Sequence, residues 1–115
     1  MVIQIFGTKK CKDTQKAIRF FKERRMQTQF INLREKDMSP GELNNIRRCI
    51  PIEELIDIDG KEYEERNLKY LRHDIEDELL DNPLLFKTPI VRSANGATVG
   101  HQPEIWKNWA KALKQ

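Results

Sequence analysis

The sequence predicts an α/β domain, a four-stranded mixed sheet with helices on both faces and a helical insertion between the second and third strands. Three observations lead there. A β-branched run, a helix-period segment and a second apolar run open the chain; residues 39–82 are polar with helical patterning; and residues 89–115 return as two strands and a helix. A length of 115 residues suits one domain, 1–115, with the insertion at about 39–82.

Residues 2–6, Val-Ile-Gln-Ile-Phe, read as a central strand stopping at Gly7, and Thr8 to Cys11 as a polar loop. From Lys12 the period changes. Ala17, Ile18, Phe20 and Phe21 recur at helical spacing as far as Arg25, so the first helix begins just after Cys11. Thr28, Phe30, Ile31 and Leu33 form a second strand, and this order makes a parallel crossover. Ser39, Pro40 and Glu42 supply a capping hydroxyl, a first-turn proline and a carboxylate three residues on, opening a helix that carries Leu43 and Ile46 and ends near Cys49, before Pro51. Residues 52–58 form a short turn or loop, and 62–72 and 74–81 two further helices. Residues 89–92 and 97–100 flank Ser93-Ala94-Asn95-Gly96, whose Asn-Gly marks a β-hairpin. Pro103-Glu104 opens a last helix with Ile105, Trp106, Trp109 and Leu113 on one face. The economical closure is the thioredoxin-like arrangement.

The charge balance, 21 Lys+Arg against 18 Asp+Glu, looks like a solvated surface of both signs, since Arg24-Arg25 is followed by Glu35 and Asp37, and Arg47-Arg48 by Glu53-Glu54. Nucleic acid is therefore not an expected partner, although acidic proteins are compatible with this surface. No run approaches the roughly 18 apolar residues of a membrane span, and the N-terminus lacks a signal-peptide core. A cytoplasmic location without membrane contact is expected. Two cysteines, Cys11 and Cys49, are too few for a secreted disulfide scaffold.

Cys11 falls in a strand-to-helix loop, where free N–H groups of the first helical turn stabilise an anion. Lys9, Lys10 and Lys12 add positive charge, and Thr14, three residues on, can donate to the sulfur in place of the second thiol of a C-x-x-C pair. A lone Cys is commonly inert packing, but this polar, Lys-flanked junction is no core slot, and Cys11 is read as a nucleophile. Cys49, at a helix end before Pro51, is read as structural, with a resolving thiol as the alternative. Thr88-Pro89 has two readings: a proline tolerated at a first strand residue, or a cis bond placing the Thr88 backbone beside the reactive thiol, where it pairs with an incoming chain or thiol. His73 and His101 lack neighbours at ligand spacing, so no metal is expected, and His101 is read as a surface residue. Gly7-Thr8-Lys9-Lys10 lacks the second glycine of a phosphate loop, and Trp106 and Trp109 read as core and rim rather than a base-stacking platform.

Gly7-Thr8-Lys9-Lys10-Cys11-Lys12-Asp13-Thr14 with Lys16-Ala17, then Asn82-Pro83-Leu84-Leu85, Thr88-Pro89-Ile90-Val91, and Val99-Gly100 with Pro103-Glu104 together resemble the arsenate reductase (ArsC) family, which includes Spx-type transcription regulators and YffB-like thiol reductases. The similarity runs over essentially the whole chain. It implies a thioredoxin-like fold with a helical insertion, Cys11 as nucleophile and Pro89 as a cis-proline. The departures bear on substrate. Family members that reduce arsenate hold the oxyanion with arginines; here Thr88 precedes the proline, Asp57 lies where another arginine is expected, and Gln102 stands before the Pro-Glu pair. Arg92, Arg47 or Arg48 substitute only if the fold brings them to Cys11, with Arg92 the candidate for substrate or thiol binding. The regulators commonly carry C-x-x-C, so Thr14 excludes a disulfide switch within this motif.

The expected function is a thiol-dependent reductase with Cys11 as nucleophile, Lys10, Lys12 and Thr14 as thiolate-stabilising groups, and Thr88, Pro89 and Arg92 facing the substrate or thiol. It binds no cofactor. Glutathione, or a protein dithiol of the thioredoxin or glutaredoxin type, resolves the adduct because Thr14 cannot, and arsenate is not the expected substrate. The alternative is an Spx-like module that docks on RNA polymerase or another protein without turnover.

Overall fold

A computed structural model describes residues 2–65 and 74–113, except for the side chain of Leu113. β1 (Ile3–Gly7), α1 (Lys12–Glu23) and β2 (Thr28–Asn32) form the parallel crossover, with Ile5 opposite Phe30. The insertion contributes α2 (Pro40–Arg47), a 3₁₀ turn at Ile52–Glu54, α3 (Lys61–Glu65) and α4 (Ile75–Asp81). A further 3₁₀ turn, Pro83–Leu85, leads into β3 (Ile90–Ser93), β4 (Gly96–Val99) and α5 (Pro103–Leu113). The sheet order is β2-β1-β3-β4, and β3 is antiparallel to both β1 and β4.

Strand alternation splits the core in two. Ile3 and Ile5 of β1 and Val91 of β3 face α1 and α5, where they pack with Ala17, Phe21, Trp106 and Trp109. Phe6 and Ile90 face the opposite way, onto Leu43, Ile46, Leu55 and Leu79 of the insertion and Leu85 just after it. Trp106 is fully buried; its indole N–H donates to Thr98 Oγ1 at 2.9 Å, and Phe20 and Phe21 tilt against its ring with centroids 5.6 and 5.8 Å away. The helix starts follow the sequence signals. Ser39 and Glu42 exchange both bonds of a capping box, and Asp74 caps α4 by accepting from the Asp77 N–H at 3.2 Å. Arg25 closes α1 at φ 57°, a left-handed position usually given to glycine, with Met26 N–H bonded back to the Phe21 carbonyl at 3.0 Å.

Several details differ from the sequence reading. The hairpin turn is Ala94-Asn95, because Ser93 pairs with Gly96; the Asn-Gly pair is offset by one residue, and Gly96 opens β4 at φ 140°. Ile105 leaves the buried face of α5 and is 41% exposed, since Trp106, Trp109 and Ala110 already fill the stripe facing α1. Of the helix expected at 62–72, residues from 66 onward lie outside the described residues, as do His73 and the Leu113 side chain.

Charge is also not interspersed. Residues 39–82 hold 13 acidic against six basic residues, and the rest of the chain holds 15 basic against five acidic. Because α2 and α4 lie on the Phe6 face and α1 and α5 on the Ile5 face, the fold gives this imbalance two sides. Among the described residues, no helix is long and apolar enough to cross a membrane.

Candidate active site

Cys11 is the N-cap of α1, with extended backbone. Its N–H donates to the Thr8 carbonyl at 3.2 Å, and Gln15 fixes the loop by donating from Nε2 to the Lys9 carbonyl at 2.6 Å. Gly7 lets the first turn of α1 settle on the end of β1. A Cβ at Gly7 would fall 2.3 Å from Thr14 Oγ1, far inside contact distance. Thr14 is therefore wholly buried directly below the helix start.

Thr88 reaches Cys11 from 77 residues away. Its placement depends on the insertion: Ile56 bridges Phe86, Asp57 N–H donates to the Leu85 carbonyl at 2.8 Å, and Lys87 N–H to the Leu55 carbonyl at 2.7 Å. These bonds and the cis Thr88–Pro89 peptide bring Thr88 Oγ1 to 3.0 Å from the sulfur, to which it donates. In the protonated state the thiol faces the Thr88 carbonyl at 3.8 Å.

Partial burial pushes the Cys11 thiol pKa up, but the hydroxyls of Thr14 and Thr88 and the backbone N–H groups of Thr14 and Asp13 outweigh it, so the pKa is lowered from its ordinary value. Thr14 Oγ1 completes no hydrogen bond and is a buried, unpartnered polar atom. Its closeness to the sulfur still favours the charged form, and the charge on the thiolate is what turns that contact into a donated bond. Lys10 and Lys12 are exposed, and the groups lowering the thiol pKa are hydroxyls and amides rather than ammonium groups.

Arg92 corrects the sequence reading. It lies opposite Gln4, two strand residues or about 7 Å beyond Ile90 on the side away from Thr88. Its guanidinium donates from Nε to Gln4 Oε1 at 2.7 Å and from Nη2 to the same oxygen, and it lies 3.9 Å from a Glu42 oxygen. The register of β1 against β3 turns it toward these acceptors and away from the thiol. Arg47 is held by Glu76 at 3.0 Å, and Arg48 is exposed at the C-cap of α2. Cys49 is exposed beside Gly96, at the turn end of the β3–β4 hairpin. Five residues of strand, about 16 Å, separate that end from Thr88. A disulfide needs Cα atoms within about 7 Å, so Cys49 does not pair with Cys11 within one chain. His101 is exposed, edge-on to Trp106 with ring centroids 5.5 Å apart.

A cleft of about 210 Å³ opens from Thr8 and Thr88 between Arg34, Asp57, Lys61 and Glu62. Arg34 and Lys61 escaped the sequence reading, although a signal existed for Arg34. It follows β2, whose C-terminal end lies beside that of β1, and ligands of open α/β sheets collect outside such ends. Asp57 sits in the same cleft, opposing anion binding.

Sheet, insertion and thiol together define a thioredoxin-like protein with a one-cysteine site. The chain belongs to the ArsC family, whose model matches residues 6–109. Among solved structures it is similar to a YffB protein at 15% identity, with TM-score 0.81 over 92% of this chain and 96% of that one. It is also similar to an ArsC family related protein from Bacteroides fragilis, at 21% identity and TM-score 0.79 over 94% and 98% of the two chains. An arsenate reductase from Vibrio cholerae aligns at 20% identity and TM-score 0.79 over 94% and 97%. Among curated proteins none matches the chain by sequence.

Proposed function

We propose that the protein is a cytoplasmic thiol oxidoreductase that reduces a disulfide or mixed disulfide through Cys11. The observation that carries this is the half-buried thiol at the start of α1, with Thr88 Oγ1 3.0 Å from the sulfur and its pKa lowered. The Cys11 thiolate attacks one sulfur of the substrate, the S–S bond breaks, and the departing thiolate takes a proton from water. Cys11 is then held as a mixed disulfide. An external thiolate, from glutathione or a protein dithiol, attacks the substrate sulfur of that bond and returns Cys11 as thiolate; a second external thiolate then displaces the substrate sulfur as a thiol, so two external thiols end as a disulfide and the substrate is reduced. Thr14 and Thr88 stabilise Cys11 as attacking and as leaving thiolate, and the Thr88 backbone next to Pro89 lines up the incoming chain. Arsenate is not the proposed substrate, since Arg92 and Arg47 are held by other acceptors and Asp57 faces the cleft. A docking module without turnover has no need of a lowered thiol pKa, which favours the enzyme reading.

The test is iodoacetamide alkylation against pH, with Cys11→Ser and Cys49→Ser as controls, and turnover of a glutathione mixed disulfide. The expected midpoint lies below the free value of about 8.5, with turnover lost in Cys11→Ser. A midpoint at the free value, or retention of RNA polymerase on an affinity column without turnover, refutes the proposal.

A further inference from the structure

We propose that the thiol resolving the Cys11 adduct comes from a protein whose own reactive sulfur is surrounded by acidic residues, and that this protein docks along the basic face of α1. The proposal rests on the reductase reading above and identifies the partner of the same site.

Lys9 and Lys10 flank the thiol in the loop, and Lys12, Lys16 and Arg19 recur one turn apart along the solvent side of α1, with Lys22 beside them; all six are exposed. From Lys12 to Arg19 the row runs about 10 Å, starting at Cys11. The helix's carboxylates interrupt it little: Asp13 lies 3.9 Å from the Lys16 ammonium, and Glu23 stands at the far end. Beyond that end, Arg24, Lys107 and Lys111 surround a cavity of about 310 Å³ between α1 and α5. The opposite face carries the insertion, with its 13 acidic residues. An acidic partner is thus drawn to α1 and repelled from the insertion, which orients the encounter with Cys11 at its edge.

A small thiol needs only the cleft at Thr88. A row of charges on an exposed helix holds nothing small in place, but it presents spaced cations to a macromolecular surface. Nucleic acid fits less well. Phe21, Trp106 and Trp109 are buried, Phe20 is covered by the Arg24 guanidinium 3.6 Å from its ring centre, and α1 is packed on the sheet instead of projecting toward a groove. The row also leads to a thiol, for which a nucleic acid has no reaction. In the step, one partner thiolate attacks the substrate sulfur of the Cys11 adduct and frees the Cys11 thiolate. The partner's second thiolate then displaces the substrate as a thiol, leaving the partner as a disulfide, so two electrons pass from partner to adduct.

The experiment prepares the full chain, with Cys49→Ser, as its Cys11 mixed disulfide with 2-mercaptoethanol. Resolution is timed with dithiothreitol and with a thioredoxin of net negative charge as probe, at ~20 and ~300 mM salt, where the Debye length falls from about 20 Å to about 6 Å. The expected result is a roughly tenfold slower reaction with the acidic protein at high salt, and a similar loss at low salt in Lys16→Glu/Arg19→Glu/Lys22→Glu, while dithiothreitol rates stay within about twofold. The milder Lys16→Gln/Arg19→Gln/Lys22→Gln variant is expected to fall between, and guards against misfolding of the first. A protein rate indifferent to both salt and substitution overturns the proposal. So does a salt-sensitive dimer in sedimentation, which assigns the face to the insertion of a second copy, and so does blocking of the acidic protein by a DNA duplex at physiological salt. Failure of both thiols to resolve the adduct refutes the reductase reading itself.

Discussion

Replacing Thr88 by Val keeps the side chain's shape and removes the hydroxyl that donates to Cys11 over 3.0 Å. A hydrogen bond to a charged acceptor contributes about 1.5–3 kcal/mol, and the half-buried position of the sulfur puts this one at the lower end. At 1.36 kcal/mol per pKa unit, the thiol should move up by about one unit. At a pH below both midpoints the thiolate fraction then falls about tenfold. A more basic thiolate is intrinsically the better nucleophile, with a Brønsted slope of about 0.4–0.5, so the observed alkylation rate falls only about threefold. The assay is iodoacetamide alkylation followed from acid to alkaline pH, which yields the midpoint and the limiting rate separately. The midpoint should rise and the limiting rate of the thiolate should also rise. An unchanged midpoint would show that the Thr88 hydroxyl does not hold the charge.

Gly7→Ala should raise the alkylation midpoint as well, because the new methyl meets Thr14 Oγ1 at 2.3 Å and displaces the buried hydroxyl; overpacking of this kind costs about 1–3 kcal/mol, read in a urea melt. Since the folded-state pKa of Cys11 is lowered, the unfolded chain binds more protons between the two pKa values, and stability rises with pH there. That contribution is complete above the unfolded value of about 8.5 and vanishes as pH falls through the folded value; Cys11→Ser should flatten the profile in denaturant titrations. Arg25→Gly should stabilise the chain by about 1 kcal/mol by relieving a left-handed φ of 57°, seen as a higher urea midpoint. Cys49→Ser should leave adduct resolution rates unchanged, given its place at the far end of the β3–β4 hairpin.

The sheet and its helices were legible because their signals are local. Ser39, Pro40 and Glu42 mark a helix start by chemistry confined to one turn, and Ile3, Ile5 and Phe6 declare a strand buried on both sides. Cys11 and Thr14 could be read for the same reason, as they share one helical turn. Arg92 could not, because its direction depends on facing Gln4 across two strands that meet 88 residues apart. Ile105 and Trp106 are equally apolar neighbours, and only the packing of α5 against α1 decides which one is buried. The charge division was hidden by comparing short runs such as Arg47-Arg48 with Glu53-Glu54: the acidic surplus shows only when residues 39–82 are counted together, and only the fold sets α2 and α4 across the sheet from α1.

One of the two hydroxyls at the sulfur arrives from the far end of the chain, which ties part of the chemistry to completion of the fold. A chain emerging from synthesis has Cys11 and Thr14 long before Thr88 exists. Until β3 has paired with β1 the thiol has only Thr14 and the N–H groups of α1 beside it, without the Thr88 hydroxyl, and its pKa is lowered less. Full reactivity therefore matures last, and an unfinished molecule competes less well for disulfides than one whose sheet has closed.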